Sequence, residues 1–296
     1  MTLTLDRATG PNDETGVTGT NATAGARRIH AAFARARAEG RPALMPYIVA
    51  GYPDAETSLQ VALAAADAGA DMLEVGLPYS DPLADGATVQ RASRAALRAG
   101  ATLERALQLI EAIGRARPEL PLLPMAYANQ IIGGGDGSAT AGRLARAGAA
   151  GLIVPDITPD EGEPFEAVCV AAGLALVYLV APTTAPERRA WIAARSGGFL
   201  YCVSLVGVTG ARRSLPSSVG RLVRDVRAVS PVPVAVGFGV SRPAHVAALA
   251  RAGADGVIVG SAVVDALGPD GRDVAALGRL VASLRAAAGG THADRR

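Results

Sequence analysis

The feature that most constrains the fold is a regular alternation between short apolar segments and longer alanine- and arginine-rich segments. The apolar segments are rich in β-branched residues and apolar throughout, which is typical of parallel strands covered on both faces. Eight of them are predicted as strands: residues 44–49, 72–75, 122–126, 151–154, 174–180, 199–203, 232–236 and 256–259. Between them, apolar residues recur at helical spacing. The clearest predicted helices are residues 56–68, 103–116, 164–172, 186–194 and 218–229.

Eight strand–helix units in a chain of 296 residues predict an α/β protein with a single (β/α)8 TIM barrel, preceded by an extra N-terminal helix. The barrel domain is predicted to span residues 26–288. The Thr/Gly/Asn-rich residues 1–25 are predicted to form a disordered N-terminal tail, and residues 289–296 a flexible C-terminal tail. A doubly wound open sheet is the alternative. Regular spacing of the units favours closure, and no Gly-x-Gly-x-x-Gly motif follows the first strand.

Composition and charge exclude several classes of protein. The chain contains no lysine, and its 29 arginines are scattered rather than gathered into the basic stripe of a nucleic-acid-binding protein. The longest uncharged segment, residues 167–186, is interrupted by Gly173 and Pro182, and the N-terminus lacks a secretory signal, so no membrane association is expected. Only two cysteines are present, Cys169 and Cys202, which indicates a reducing compartment and a cytoplasmic location.

The second predicted strand and the loop after it each contain a candidate catalytic carboxylate. Active sites of such barrels lie at the carboxyl ends of the strands and in the loops after them. Glu74 lies inside an apolar strand, where a desolvated carboxyl group has a raised pKa and can give and take a proton near neutrality. Asp85 lies in the following loop, from which it can reach over the mouth of the barrel. A salt-bridged structural acid is the alternative for Glu74, and simple turn formation the alternative for Asp81 and Asp85.

Three further strand ends are candidates for binding substrate. If Tyr201 in the sixth predicted strand faces the barrel interior, its hydroxyl lies near the mouth and Cys202 packs against helices. The glycine-containing residues 207–210 after it are flexible enough to form a lid. Glycine-rich loops after the seventh and eighth strands, residues 236–241 and 259–263, predict a phosphate site at the start of a helix. Ordinary glycine turns are the alternative for all three.

The absence of lysine also restricts the chemistry. A Schiff-base aldolase needs a lysine nucleophile, so carbon–carbon cleavage by this chain has to proceed by acid–base chemistry alone. The three histidines, His30, His245 and His292, fall on predicted helices or in the tail and form no paired ligand set. Neither a metal nor another cofactor is therefore expected.

The order of these motifs resembles that of the tryptophan synthase α-subunit family. The resemblance extends from about Arg27 to about Ala286 and is most specific in the sequence LEVGLPYSDPLADG at residues 73–86. Further matches are VPD at 154–156, APT at 181–183, GVTG at 207–210, GFG at 237–239 and GS at 260–261. Tyr79 stands where the family usually has phenylalanine.

This resemblance implies a lyase that splits indole-3-glycerol phosphate by a retro-aldol step into indole and glyceraldehyde 3-phosphate, in the last steps of L-tryptophan biosynthesis. It implies that Glu74 is the acid–base residue, that Asp85 holds the indole N–H, and that Tyr201 lines the site beside Glu74. The implied indole pocket consists of Tyr47, Met125 and Tyr127. The implied phosphate-binding residues are Thr209, Gly210, Gly237, Gly239, Gly260 and Ser261. The implied contacts with a β subunit, in an α2β2 complex, are Asp81, Pro82 and Asn129.

Other functions are compatible with parts of the pattern. A free-standing lyase of the same family could release indole for secondary metabolism, and a subunit without turnover could activate its partner by binding alone. The presence of both Glu74 and Asp85 argues against the second of these. Another phosphosugar isomerase barrel would need a different acid–base pair and does not explain the loop at residues 80–86.

Overall fold

Parallel strands form the centre of the computed structural model, which describes residues 19–133, 135–203, 217–237 and 239–289. All the paired strands are parallel. The segments are Ala43–Val49 (β1), Leu73–Gly76 (β2), Leu122–Met125 (β3), Gly151–Ile153 (β4), Ala175–Val177 (β5), Leu179–Val180 (β6), Leu200–Val203 (β7), Val234–Gly237 (β8) and Gly256–Val259 (β9).

The sheet closes on itself through the fifth predicted strand. The order of the segments is β5-β4-β3-β2-β1-β9-β8-β7-β6, and its two ends, β5 and β6, are separated only by Tyr178. The predicted strand 174–180 is divided because the backbone N–H of Tyr178 donates to the Ser196 hydroxyl at 3.0 Å instead of to a neighbouring strand. The two segments are halves of one strand, and the predicted (β/α)8 barrel is confirmed.

Helices surround this barrel. A 3-10 helix covers Gly19–Ala22. The α-helices are Ala24–Ala38 (α1), Ala55–Asp67 (α2), Ala87–Arg98 (α3), Leu103–Ala116 (α4), Ala128–Ile132 (α5), Ser138–Arg146 (α6), Glu163–Ala172 (α7), Pro186–Arg195 (α8), Ser217–Val229 (α9), Pro243–Ala252 (α10), Ser261–Ala266 (α11) and Val274–Gly289 (α12). Within the described ranges, no helix combines the length and the apolar character needed to cross a membrane.

Strand side chains alternate between two apolar layers. Leu200 and Cys202 of β7 belong to the layer between the sheet and the helices, whereas Tyr201 belongs to the layer inside the barrel. Tyr201 therefore faces the barrel interior, which is the condition for its hydroxyl to lie near the mouth. Cys202 is fully buried, and desolvation raises the pKa of its thiol to about 12, so it is not an activated nucleophile.

The N-terminal helix covers the amino ends of the strands. Phe33 of α1 packs against Phe199 with ring centroids 5.8 Å apart, and its ring lies where a side chain at Gly256 would otherwise stand. Both aromatic residues belong to the apolar layer inside the barrel. This end of the barrel is thus filled, which leaves the carboxyl ends of the strands as the open mouth.

Residues 19–25 are rich in threonine, asparagine and glycine, and the sequence predicts them as part of a disordered tail. The structure shows them in the 3-10 helix and at the start of α1. The Thr23 hydroxyl instead caps α1 by accepting the N–H of Ala26 at 3.1 Å, and the Asn21 side chain accepts the N–H of Gly198 at 3.1 Å. These polar residues satisfy backbone groups at a helix start, a role that composition alone does not reveal. Residues 1–18 and 290–296 lie outside the described ranges.

Candidate active site

The centre of the site is formed where β1 and β2 end side by side. Tyr47 of β1 and Glu74 of β2 are direct neighbours in the parallel register. A Cβ atom at Gly76 would lie 2.0 Å from the hydroxyl oxygen of Tyr47, so glycine is needed for the tyrosine ring to lie across β2. The same relation holds on the other side of the barrel, where a Cβ atom at Gly237 would lie 2.4 Å from the hydroxyl oxygen of Tyr201.

Glu74 is a buried carboxylic acid without a compensating partner. Glu74 is 1% exposed, and neither of its carboxyl oxygens has a hydrogen-bond partner among the described residues. Burial, with a smaller contribution from the nearby charge of Asp85, raises the pKa of Glu74 to about 8. A structural acid would be expected to hold an ion pair. No described cation pairs with Glu74, and this favours the acid–base interpretation.

Asp85 is held over the mouth by Tyr127. The Tyr127 hydroxyl accepts the backbone N–H of Ala84 at 2.8 Å and donates to the Asp85 carboxylate. The loop is also fixed by Gln90, whose side-chain amide donates to the backbone carbonyl of Asp85 at 2.9 Å. Burial raises the pKa of Asp85 to about 6, although the hydrogen bond from Tyr127 opposes this shift. The two carboxyl groups therefore differ in protonation near neutral pH.

A cavity of about 500 Å³ joins these carboxylates to the glycine-rich loops. Eight of the predicted site residues line it: Tyr47, Glu74, Asp85, Met125, Tyr201, Gly239, Gly260 and Ser261. Tyr127 lies behind Asp85, and Gly237 makes room for Tyr201. Thr209, Gly210 and the predicted lid at 207–210 fall outside the described residues.

The far end of the cavity has the features of an anion site. Helix α11 begins at Ser261, directly after Gly260, and Gly239 has a φ of 77°, which favours glycine. Ser241, the last residue of the predicted loop at 236–241, and Arg242, which directly follows that loop, also line this end. The Ser241 hydroxyl is buried and has no partner among the described residues, whereas its backbone N–H donates to Nδ1 of His245 at 3.3 Å.

The predicted partner-facing residues lie beside the acidic loop. Asp81 and Asn129 are exposed and Pro82 is partly buried. The Asn129 side-chain amide donates to the Tyr79 hydroxyl at 2.6 Å, and the Tyr79 ring stacks on that of Tyr127 with centroids 5.0 Å apart. The structure thus connects the predicted partner surface to the residue that holds Asp85.

A larger groove, about 750 Å³, lies at the opposite end of the barrel between α1 and α9. Asp255 is the only acid among the described residues that line it, and it pairs with Arg37 at 3.3 Å and Arg227 at 3.2 Å. This arrangement leaves no carboxylate available for proton transfer there. Among the described residues, no group of three or more His, Cys, Asp or Glu is placed to hold a metal ion.

Comparison with known proteins identifies similar chains. A family model described as tryptophan synthase alpha chain matches residues 33–288. The tryptophan synthase alpha chain of Roseiflexus sp. (strain RS-1) is 46% identical over 260 residues, which are 87% of this chain and 99% of the relative. That of Gloeobacter violaceus is 47% identical over 242 residues, 81% of this chain and 86% of the relative. A solved structure of Mycobacterium tuberculosis tryptophan synthase superimposes with a TM-score of 0.81 at 42% identity, covering 88% of this chain and 98% of that chain.

Proposed function

The chain belongs to the tryptophan synthase alpha-chain family, and we infer from this membership that it is a carbon–carbon lyase in L-tryptophan biosynthesis. Its substrate is indole-3-glycerol phosphate, which it splits into indole and glyceraldehyde 3-phosphate. The observation that carries this proposal is the buried, unpaired Glu74 carboxyl group in a cavity that also holds Asp85. The relatives described above are tryptophan synthase chains, and none of them favours a free-standing lyase for secondary metabolism.

Glu74 is proposed to transfer both protons of the reaction. With a pKa of about 8 it is protonated at neutral pH, and it donates this proton to C3 of the indole ring. The resulting carboxylate then takes the proton of the hydroxyl group on the carbon attached to C3. The bond between this carbon and C3 breaks, its electrons return to the ring, and the products are indole and an aldehyde. Glu74 ends the cycle protonated.

Asp85 is proposed to stabilise the charge that develops between these two steps. Protonation at C3 makes the ring nitrogen positively charged, and an ionised carboxylate that accepts the ring N–H stabilises this charge. The pKa of about 6 keeps Asp85 ionised at neutral pH while Glu74 stays protonated. Two carboxyl groups with separated pKa values therefore support two different roles.

The remaining site residues are proposed to position the substrate. Tyr47, Met125 and Tyr201 line the cavity next to the carboxylates and form an apolar site for the indole ring, with Tyr127 behind Asp85. Gly239, Gly260 and Ser261 bind the phosphate at the far end, where close approach of backbone N–H groups favours an anion. Gly237 acts by making room for Tyr201. Thr209 and Gly210 are proposed to complete the phosphate site.

A tryptophan synthase β subunit is the proposed partner, in an α2β2 complex, and the proposed location is the cytoplasm. Asp81, Pro82 and Asn129 are proposed to form the contact. Leu83, in the same loop, is 92% exposed, which supports this surface because a large apolar side chain gains from being covered.

Release of indole from indole-3-glycerol phosphate tests both parts of the proposal. The purified chain is expected to release indole slowly by itself and faster with a β subunit that co-elutes with it in size-exclusion chromatography. If no indole is released both without and with the β subunit, the proposed lyase activity is contradicted. Release without stimulation or co-elution would contradict the complex and favour a free-standing enzyme.

A further inference from the structure

The charges around the cavity are unbalanced for a phosphate ester. The described residues that line it include two ionised carboxylates, Asp85 and Asp265, the protonated carboxyl group of Glu74, and a single positively charged side chain, Arg242. A phosphate monoester carries a charge of about −1.5 to −2 at neutral pH. Because like charges in a partly desolvated cavity repel one another, a cation near the phosphate end would offset this repulsion.

Arg242 is placed to supply that charge. It follows Ser241 directly and is the residue before the first turn of α10, in extended conformation with φ −142° and ψ 152°. Its backbone carbonyl accepts the N–H of His245 at 3.0 Å, which fixes the backbone. The side chain is exposed and makes no hydrogen bond that caps the helix. Within the described ranges it forms no ion pair, so its guanidinium group is available to a ligand.

The groups around Arg242 independently indicate an anion at this end of the cavity. The Ser241 hydroxyl is buried and lacks a partner among the described residues, so it is available to a ligand oxygen. Gly239 and Gly260 line the same end, and helix α11 starts there. Asp265 lies 3.6 Å from Arg91 and is 58% exposed, so its charge is already partly offset. Asp85 already accepts a hydrogen bond from Tyr127, which leaves the phosphate group as the charge for Arg242 to meet.

We propose that Arg242 binds the phosphate group of the substrate and thereby raises the affinity of the site for it. This inference rests on the proposed function, since it assigns a phosphate-binding residue to the same site. Guanidinium groups suit this role because they present several N–H donors in a plane that matches phosphate oxygens.

Titration calorimetry with glycerol 3-phosphate at low ionic strength tests the inference. Arg242→Gln should bind about tenfold more weakly than the unchanged protein, the lower end of the range for a charge-assisted hydrogen bond, because the side chain is exposed. Arg242→Lys should recover most of the affinity by restoring the charge. The difference between the unchanged protein and Arg242→Gln should shrink in 0.5 M salt, in which exposed charges are screened.

Arg251→Gln is the matched control. Arg251 lies at the other end of α10, is exposed and does not line the cavity, so its replacement changes the net charge by the same amount without touching the site. Its affinity for glycerol 3-phosphate should stay within about twofold of the unchanged protein. Equal affinities for Arg242→Gln and the unchanged protein, including unmeasurable binding by both, would overturn the inference.

Steady-state indole release separates this inference from the proposed function. Arg242→Gln should raise KM for indole-3-glycerol phosphate more than it lowers kcat, because the phosphate is bound both before and during the reaction. If the unchanged protein releases indole but KM is the same in Arg242→Gln, the inference fails and the proposed function stands. If the unchanged protein releases no indole but Arg242→Gln weakens phosphate binding, the proposed function fails and the phosphate contact stands.

Discussion

Burial gives two carboxyl groups in one cavity different protonation states. Desolvation is the largest cause of the raised pKa in both residues, but Glu74 is more deeply buried than Asp85, and Asp85 also accepts a hydrogen bond that lowers its pKa. Between pH 6 and pH 8 the favoured state is a protonated Glu74 and an ionised Asp85. The proposed proton transfer requires this state of the pair.

This pairing predicts a bell-shaped pH profile for indole release. As the pH falls through about 6, Asp85 becomes protonated and stops stabilising the ring cation, so kcat/KM falls. As the pH rises through about 8, Glu74 loses its proton and can no longer act as an acid, so kcat/KM falls again. The two apparent values belong to the coupled pair. A profile that is flat from pH 5 to pH 9 would contradict these roles.

For individual residues, the sequence indicates the carboxyl groups of the site more fully than the residues at its phosphate end. Glu74 was recognisable because a carboxylate inside an apolar strand has few structural explanations. Ser241 ends the predicted loop at 236–241, but Arg242 lies just outside it, before the proline that starts α10, where polar residues are common. Their position at the cavity follows from the course of the segment between β8 and α10, which lines it.

At the scale of elements, α5 and the loop between β2 and α3 act together. Tyr127 and Asn129 at the start of α5 contact Ala84, Asp85 and Tyr79 in the loop. These pairs are separated by 40 to 50 residues in the chain. The sequence could predict both segments, but not their hydrogen bonds, because these depend on how neighbouring strands bring the two loops together.

Tyr127→Phe is predicted to shift the acidic side of the pH profile upward. The Tyr127 hydroxyl lowers the pKa of Asp85, so its loss allows burial to raise that pKa further. Indole release should therefore fall more at pH 6 than at pH 8, as measured by kcat/KM at both values. Tyr79→Phe is the control, because it keeps the ring and removes only the hydroxyl bonded to Asn129. An identical pH shift in both variants would argue against a specific effect on Asp85.

At the scale of the whole molecule, the barrel separates stability from chemistry. Helix α1 fills the amino ends of the strands, whereas Glu74 and the cavity lie toward the carboxyl ends. The barrel itself was predictable because eight apolar segments leave few ways to cover a parallel sheet on both faces. Order in residues 19–25 was not predictable from composition, since the capping contacts of Thr23 and Asn21 depend on where α1 packs.

Phe33→Ala is therefore predicted to reduce stability without changing the chemistry. Phe33 is 3% exposed and packs on Phe199, so truncation should cost about 3–5 kcal/mol of the free energy of unfolding. The thermal midpoint should fall by roughly 10 °C for a domain of this size, as measured by calorimetry. Well below the midpoint, kcat/KM should stay within about twofold of the unchanged protein because the site lies at the other end. Phe33→Leu should lose less stability, and an unchanged midpoint in Phe33→Ala would contradict the packing role of α1.

The most direct measurement of the central claim is indole release by Glu74→Gln. Glutamine keeps the shape of the side chain but cannot exchange a proton near neutral pH. We therefore expect kcat to fall by about 10²–10⁴-fold. Binding of glycerol 3-phosphate should stay within about twofold of the unchanged protein, which shows that the site is intact. A variant that releases indole at close to the original rate would contradict the proposal that Glu74 transfers the protons.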